Sequence, residues 1–135
     1  NGTERKLMNK IDVVCGVLIK NGKYLITQKG GDKDNSLWEF PGGKVNLNET
    51  YFEAIRREIK EELDVIIVPK NEIMHYEYDE YNLIFIECLL KNKTTNITLN
   101  EHLDYKWITP VQINDFDFVD GDLKFINGIF KDSLK

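Results

Sequence analysis

Glu58, Glu61 and Glu62 stand in the run Arg57-Glu58-Ile59-Lys60-Glu61-Glu62-Leu63-Asp64-Val65, related as i, i+3 and i+4. On a helix of 3.6 residues per turn the three share one face, where like charges repel by roughly a few tenths of a kcal/mol per pair. A hard divalent cation offsets that repulsion. Mg²⁺ or Mn²⁺ takes oxygen ligands, keeps several waters and bridges to phosphate oxygens. An acidic helix read alone is a solvated face. Here Gly43, five residues, Glu49, seven residues and then Arg57 precede the acids, behind a Pro41-Gly42-Gly43 entry. That fixed spacing argues for a metal site.

The elements that must position these carboxylates are legible around them. Thr50-Tyr51-Phe52-Glu53 fits a capping box, in which the threonine oxygen and Glu53 satisfy free amides at a helix start. The helix is expected from Tyr51 to Leu63, with Phe52, Ile55 and Ile59 as its buried stripe and Ala54 allowing close approach. Burial of the three large side chains contributes about 1.5 to 3 kcal/mol each and fixes the acids in place. Asp64 follows, and Asp is among the few side chains that tolerate a left-handed helix end. Gly42-Gly43 is expected to allow a backbone turn that other residues resist.

Ahead of this, Val13 to Ile19, Asn21-Gly22 and Tyr24 to Thr27 read as strand, turn and strand. Gly16 marks a bulge or a close backbone approach. Gln28 to Ser36 reads as a surface loop, from which Lys29 and Lys33 can reach phosphates. Leu37 to Phe40 is extended and ends at Pro41. Beyond the helix, Val65 to Val68 is β-branched, Pro69 to Asn71 breaks it, and Ile73 to Tyr78 pairs with Leu83 to Leu90 around residues 79–82. Glu101 to Ile108 leads into a short strand, Thr109-Pro110 opens a helical turn, and Asp122 to Lys131 has helical spacing. The sum is an α/β sandwich with a mixed sheet, one central helix and a C-terminal helix.

With 135 residues, a polar segment over 1–10 and a single domain over 11–135 are expected. The opening Asn1-Gly2, ahead of Met8, is read as processing or an added remnant. A net charge of −5 without a basic stripe argues against a nucleic-acid polymer as partner. A phosphorylated small substrate stays compatible, because a metal supplies local positive charge. Without a signal peptide or an apolar run long enough to span a bilayer, the expectation is a soluble cytoplasmic protein, monomer or homodimer. Cys15 and Cys88 lie in apolar runs and are read as buried thiols, able to pair only if their strands are adjacent.

The spacing from Gly43 to Val65 resembles the Nudix box: Gly, five residues, Glu, seven residues, Arg-Glu-aliphatic-any-Glu-Glu-any-Gly-aliphatic. Every specified position matches except Asp64, where the family usually has Gly. Trp38-Glu39-Phe40-Pro41-Gly42-Gly43-Lys44 is similar to the MutT-like branch of that family. The resemblance implies a Nudix-type α/β/α sandwich whose central helix is catalytic. The implied activity is metal-dependent hydrolysis of a nucleoside diphosphate-linked compound. First among these is a nucleoside triphosphate, oxidised or not, cleaved to monophosphate and pyrophosphate. Nucleotide sugars, dinucleoside polyphosphates or nucleotide binding without turnover are the alternatives.

The resemblance also implies a site. Glu58, Glu61 and Glu62, with the Gly42 carbonyl and Glu101, are the expected Mg²⁺ or Mn²⁺ ligands. Glu101, six residues before Trp107, is either a ligand or the group that takes a proton from the attacking water. Arg57 is expected to fix carboxylate geometry by pairing, for example with Glu49. Lys29, Glu39, Lys44, Tyr78 and Asp120 are the substrate-contact candidates, Asp120 against the nucleobase or else a helix cap. His102, beside Glu101, is read as a surface or hydrogen-bonding residue before a base.

Overall fold

The computed structural model describes residues 9–30 and 37–130. The polar segment up to residue 8, Lys33 and the tail from Lys131 lie outside the described residues. Strands β1 (Ile11–Lys20) and β2 (Lys23–Gln28) form the expected hairpin. Asn21 and Gly22 both have positive φ, 54° and 75°, as a two-residue turn matched to strand twist requires. Gln28 thus closes β2 instead of opening a loop.

Two short strands follow, β3 (Trp38–Glu39) and β4 (Gly42–Lys44), and then helix α1 (Tyr51–Leu63). The long pair β5 (Ile67–Tyr78) and β6 (Tyr81–Leu90) precedes β7 (Asp104–Ile108). Two 3₁₀ turns, Pro110–Asp115 and Asp120–Asp122, lead to helix α2 (Leu123–Ile129). The strands make one seven-stranded sheet in the order β3-β2-β1-β6-β5, with β4 paired to β1 and β7 to β2. It is mixed because β1 and β6 run parallel while the other pairs are antiparallel.

β1 is buried on both faces, which explains its unbroken apolar run. Val14 and Leu18 join Ala54, Ile55, Ile59 and Leu63 of α1 in one core. Cys15 and Val17 join Phe85, Phe125 and Ile126 in the other, so α1 and α2 cover opposite faces. The cysteines divide the same way. Cys15 and Cys88 sit on adjacent strands, yet each is a free buried thiol in a different core. Gly16 is a close approach: an added Cβ would stand 3.2 Å from the Cδ1 atoms of both Ile55 and Ile59.

Three expectations need correction. Phe52 is exposed, and the buried face of α1 runs instead through Ala54, Ile55, Ile59, Glu62 and Leu63. The first turn is set by its cap and by Tyr51, whose hydroxyl donates to Asp12 Oδ2 at 3.3 Å. The break over Pro69 to Asn71 is absorbed within β5. Register shifts there keep one strand continuous on the sheet edge, where a residue without an N–H is tolerated. Gly42 and Gly43 do not take the left-handed conformation. They are small because a Cβ on Gly42 would lie 1.9 Å from the Val14 carbonyl oxygen, and one on Gly43 2.5 Å from the Glu58 carboxylate carbon.

Among the described residues no helix is long and apolar enough to cross a membrane.

Candidate functional site

α1 begins with the expected capping box: Thr50 Oγ1 accepts from the Glu53 amide at 3.1 Å, and Glu53 Oε1 from the Thr50 amide at 2.8 Å. Its end is Asp64, left-handed at φ 54°, whose amide donates to the Lys60 carbonyl. With both ends fixed, the carboxylates of the middle turns have defined places.

Arg57 organises the outer side of the cluster. Its Nε and Nη2 donate to the two oxygens of Glu49 at 2.7 and 2.9 Å, a bidentate fork. Nη1 donates to Glu58 at 2.8 Å and to Glu61 at 3.3 Å, while Nη2 also reaches the Lys44 carbonyl at 3.0 Å. These bonds hold the Glu49 carboxyl down at about 2 and push the guanidinium further up. Pairing between Arg57 and Glu49, expected from the sequence, is what the geometry contains.

Glu62 faces the opposite situation. It is 4% exposed, and that burial drives its carboxyl well above the usual range. The neighbouring carboxyl of Glu58 and the charges of Glu101 and Glu39 add to the rise. Acids crowded round one buried carboxyl mark a place where positive charge is wanted. A hard cation fits it, since the donors are all carboxylate oxygens. Among the described residues, no three His, Cys, Asp or Glu side chains converge on one ion position as they stand. Glu58 and Glu61 are engaged by Arg57, and Glu39 by His102.

Residues 98–103 reach this cluster because their backbone is tied to the end of α1. The Thr98 and Asn100 amides donate to the Leu63 and Glu62 carbonyls at 2.9 and 3.0 Å, and Asn100 Nδ2 donates to the Glu61 carbonyl at 2.9 Å. Carbonyls left open at a helix C-terminus are thereby satisfied by the segment that carries Glu101 and His102. Glu101 is exposed, within electrostatic reach of Glu62. The His102 side chain is nearly covered, its Nε2 3.0 Å from Glu39 Oε2 and 3.7 Å from Glu62 Oε1.

Beyond Glu39 opens a pocket of about 290 Å³. Glu39, Gly42, Gly43 and Lys44 form its wall toward the acids, and Tyr78, Tyr81, Leu83 and Asp122 its far side. Larger grooves exist, one of about 660 Å³ along Arg56, Lys60, Ile66 and Lys91, but that groove contains none of Glu39, Glu58, Glu61 or Glu62.

Asp122, 5% exposed, accepts the Phe40 amide through Oδ2 at 3.0 Å. Burial pushes its carboxyl up to about 7 against the opposing effect of that bond, with Glu39 adding to the rise. The Tyr76 hydroxyl fixes the turn by donating to the Gly121 carbonyl and accepting from the Phe125 amide.

Of the substrate-contact candidates, Glu39, Lys44 and Tyr78 line this pocket. Lys29 is exposed at the end of β2 and does not. Asp120 is exposed at the start of its 3₁₀ turn and makes no side-chain cap; the acid facing the pocket is Asp122, two residues on, because one turn of 3₁₀ helix swings it inward. The sequence carried no signal for His102 beyond its neighbour Glu101. For Asp122 the signal was an acid placed just before an apolar helical pattern.

A family profile described as NUDIX domain matches residues 9–128. An 8-oxo-dGTP diphosphatase of Buchnera aphidicola subsp. Schizaphis graminum is 32% identical over 127 residues, covering 92% of this chain and 96% of that protein. A nucleoside triphosphatase NudI of Enterobacter sp. is 29% identical over 128 residues, covering 82% and 89%. The solution structure of the E. coli ORF135 protein superposes with a TM-score of 0.78 at 23% identity, covering 93% of this chain and 92% of that one, a likeness of fold.

Proposed function

Since the chain belongs to the Nudix family, we propose that it is a metal-dependent nucleoside triphosphate pyrophosphohydrolase of the MutT-like kind, releasing nucleoside monophosphate and pyrophosphate. The observation that carries this reading is the adjacency of the acids of α1 to a pocket with a buried carboxyl: Gly43 lies against Glu58, Glu39 bonds His102 beside Glu62, and both Gly43 and Glu39 line the pocket. A nucleotide lying across that junction puts its phosphates at the acids and its base in the pocket.

Glu58, Glu61 and Glu62, with Glu101 beside them, are the residues that would hold Mg²⁺ or Mn²⁺. The ion, when bound, supplies charge neutralisation on the phosphate oxygens and an activated water. Arg57 keeps Glu58 and Glu61 at fixed positions, as the holding of an ion would require. Glu101, exposed and within reach of Glu62's charge, is either a further ligand or the group that accepts a proton from the attacking water.

At the other end Asp122, with its carboxyl near neutrality, can donate as the acid or accept as the carboxylate. A guanine edge offers both an acceptor, O6, and donors, N1–H and the 2-amino group. Thymine and uracil offer O4 and N3–H but no second donor like the 2-amino group, so guanine-type triphosphates, oxidised or not, are the preferred class.

The test is incubation with Mg²⁺ and a panel of nucleoside triphosphates, 8-oxo-dGTP, nucleotide sugars and dinucleoside polyphosphates. Phosphate, pyrophosphate and monophosphate are read separately. The expected result is pyrophosphate with monophosphate, fastest from guanine-type triphosphates. Turnover confined to nucleotide sugars or dinucleoside polyphosphates, or none at all, would overturn the reading.

A further inference from the structure

His102 stands where the acidic cluster and the pocket meet. Its side chain is 6% exposed, and the backbone around it is tied down on both sides, by Asn100 to the Glu62 carbonyl and by the Leu103 amide to the Gln28 carbonyl at 3.0 Å. The ring therefore has little freedom to swing. An imidazole nitrogen 3.0 Å from a carboxylate oxygen carries its proton and donates, so Nε2–H occupies Glu39 Oε2. Glu62 Oε1, at 3.7 Å, is close to the same proton but beyond a hydrogen bond. Nδ1 is buried with no partner among the described residues, so Glu39 is the one side chain this ring hydrogen-bonds.

Glu39 itself is partly exposed, on a two-residue strand, and a glutamate there has several rotamers to choose from. Only one contact among the described side chains selects among them, and it is His102. The consequence for the pocket is specific. With Oε2 taken, Oε1 is the oxygen left to accept a hydroxyl or amine hydrogen from a ligand.

We propose that His102 is a positioning residue for nucleotide binding: it holds the Glu39 carboxylate so that the pocket presents a preformed acceptor to the nucleoside portion of the substrate. The inference rests on the nucleotide reading above. A preformed acceptor strengthens binding by removing the ordering loss on association, and it should act on substrate capture more than on the chemical step.

The test is a double-mutant cycle of His102→Ala and Glu39→Ala. It is measured twice, as KM and kcat on the preferred triphosphate with Mg²⁺ and as Kd for the corresponding nucleoside monophosphate without metal. Each single substitution is expected to raise KM and Kd by about tenfold, the scale of one charge-assisted hydrogen bond, with kcat within about threefold. The double variant should be no weaker than Glu39→Ala alone, because His102 acts only through Glu39. His102→Gln, whose side-chain amide also offers an N–H, should restore Kd to within about threefold of the parent.

Additive losses in the cycle would overturn the proposal, as would His102→Gln binding as poorly as His102→Ala. So would a loss confined to kcat, which would mark a group acting on the reacting atoms. The two readouts separate this inference from the activity it rests on. Coupling in the monophosphate Kd without turnover of any triphosphate would uphold His102 and sink the hydrolase reading. Turnover with an additive cycle would do the reverse, and a parent protein that binds no nucleoside monophosphate would sink the preformed acceptor while leaving the hydrolase reading to the substrate panel.

Discussion

The acidic end of the site and the pocket end are built by opposite means. The acids come from one continuous stretch: Glu49, Arg57, Glu58, Glu61 and Glu62 lie within fourteen residues and are ordered by helix periodicity and one arginine. The pocket gathers Cys15, Glu39, Tyr78, Leu83 and Asp122 from four distant parts of the chain, and its defining bond, Phe40 amide to Asp122, spans 82 positions. The shifted carboxyls differ by cause: a guanidinium at its side holds Glu49 at about 2, whereas burial pushes Asp122 up to about 7 and Glu62 higher still. Charge is kept where Arg57 reaches and suppressed where burial isolates the acid.

The largest effect should come from removing one charge at the acidic end. Glu62→Gln, or chelation of the metal with EDTA, is expected to lower kcat by about 100-fold or more, since a neutral amide of nearly equal size is a poor ligand for a hard cation. The metal-free protein should melt no lower than the parent, because the substitution removes a buried carboxyl whose ionisation opposes folding. A wild-type rate for Glu62→Gln would sever Glu62 from the chemistry. A large fall in melting temperature would show that its role is structural.

Gly43→Ala tests the junction. An added Cβ 2.6 Å from either Glu58 oxygen forces that carboxylate aside while Arg57 still pulls on it. A fall in kcat of about tenfold or more is expected, since displacement by an ångström is enough for such losses. Unchanged kcat would mean that the Glu58 position is not critical.

At the pocket end the readout is pH. Asp122 has a folded-state value of about 7 against an ordinary 3.8. Raised by folding, it contributes stability that is fully present below the unfolded value and lost as pH rises through the folded one. The window is therefore about pH 4 to 7. Asp122→Asn removes that titration. Its stability should fall less steeply than the parent's across the window, the remaining slope belonging to Glu62, whose carboxyl burial also raises, and should exceed the parent's at pH 8 by about 1 kcal/mol or more, in urea melts. Glu49 has the opposite sign, its stabilisation present above the unfolded value and lost only as pH falls toward 2. Arg57→Ala should therefore leave the slope between pH 5 and 7 intact. If Asp122→Asn keeps the parent slope as well, the pocket carboxyl is not the titrating group.

The same contrast explains what the sequence reveals. The capping box at Thr50, the helix bounds, the Arg57–Glu49 pair and the left-handed Asp64 rest on contacts within eight positions or fewer, and spacing rules report such contacts directly. Phe52 misled because helical phase does not tell which turns lie over the sheet. Gly42 and Gly43 were read for their backbone freedom when their reason is proximity to Val14 and Glu58, across the fold. The sequence singles out Asp120 and not Asp122, since nothing local distinguishes two acids flanking a glycine; burial by strands tens of residues away does. For His102 the expectation of a hydrogen-bonding residue holds, and what local sequence leaves out is its partner. A lone histidine acquires meaning only when a strap from residues 98–100 lays it beside Glu39.

The smallest effect should lie at the one position where the box departs from its family pattern. Asp64 is left-handed at φ 54° and its Oδ1 pairs with Lys60 on an exposed surface. Asp64→Gly relieves the backbone strain, but it adds unfolded-state entropy and removes an exposed i,i+4 pair contributing about 0.3 to 0.5 kcal/mol. These oppose one another. The backbone bond that closes the helix, Asp64 amide to Lys60 carbonyl at 3.0 Å, needs no side chain and survives. The urea midpoint should therefore move by no more than about 1 kcal/mol equivalent, with kcat within about twofold. A many-fold rise in kcat would mean that strain at the helix end reaches Glu62 two residues earlier. The acidic end would then depend on its cap as well as on Arg57.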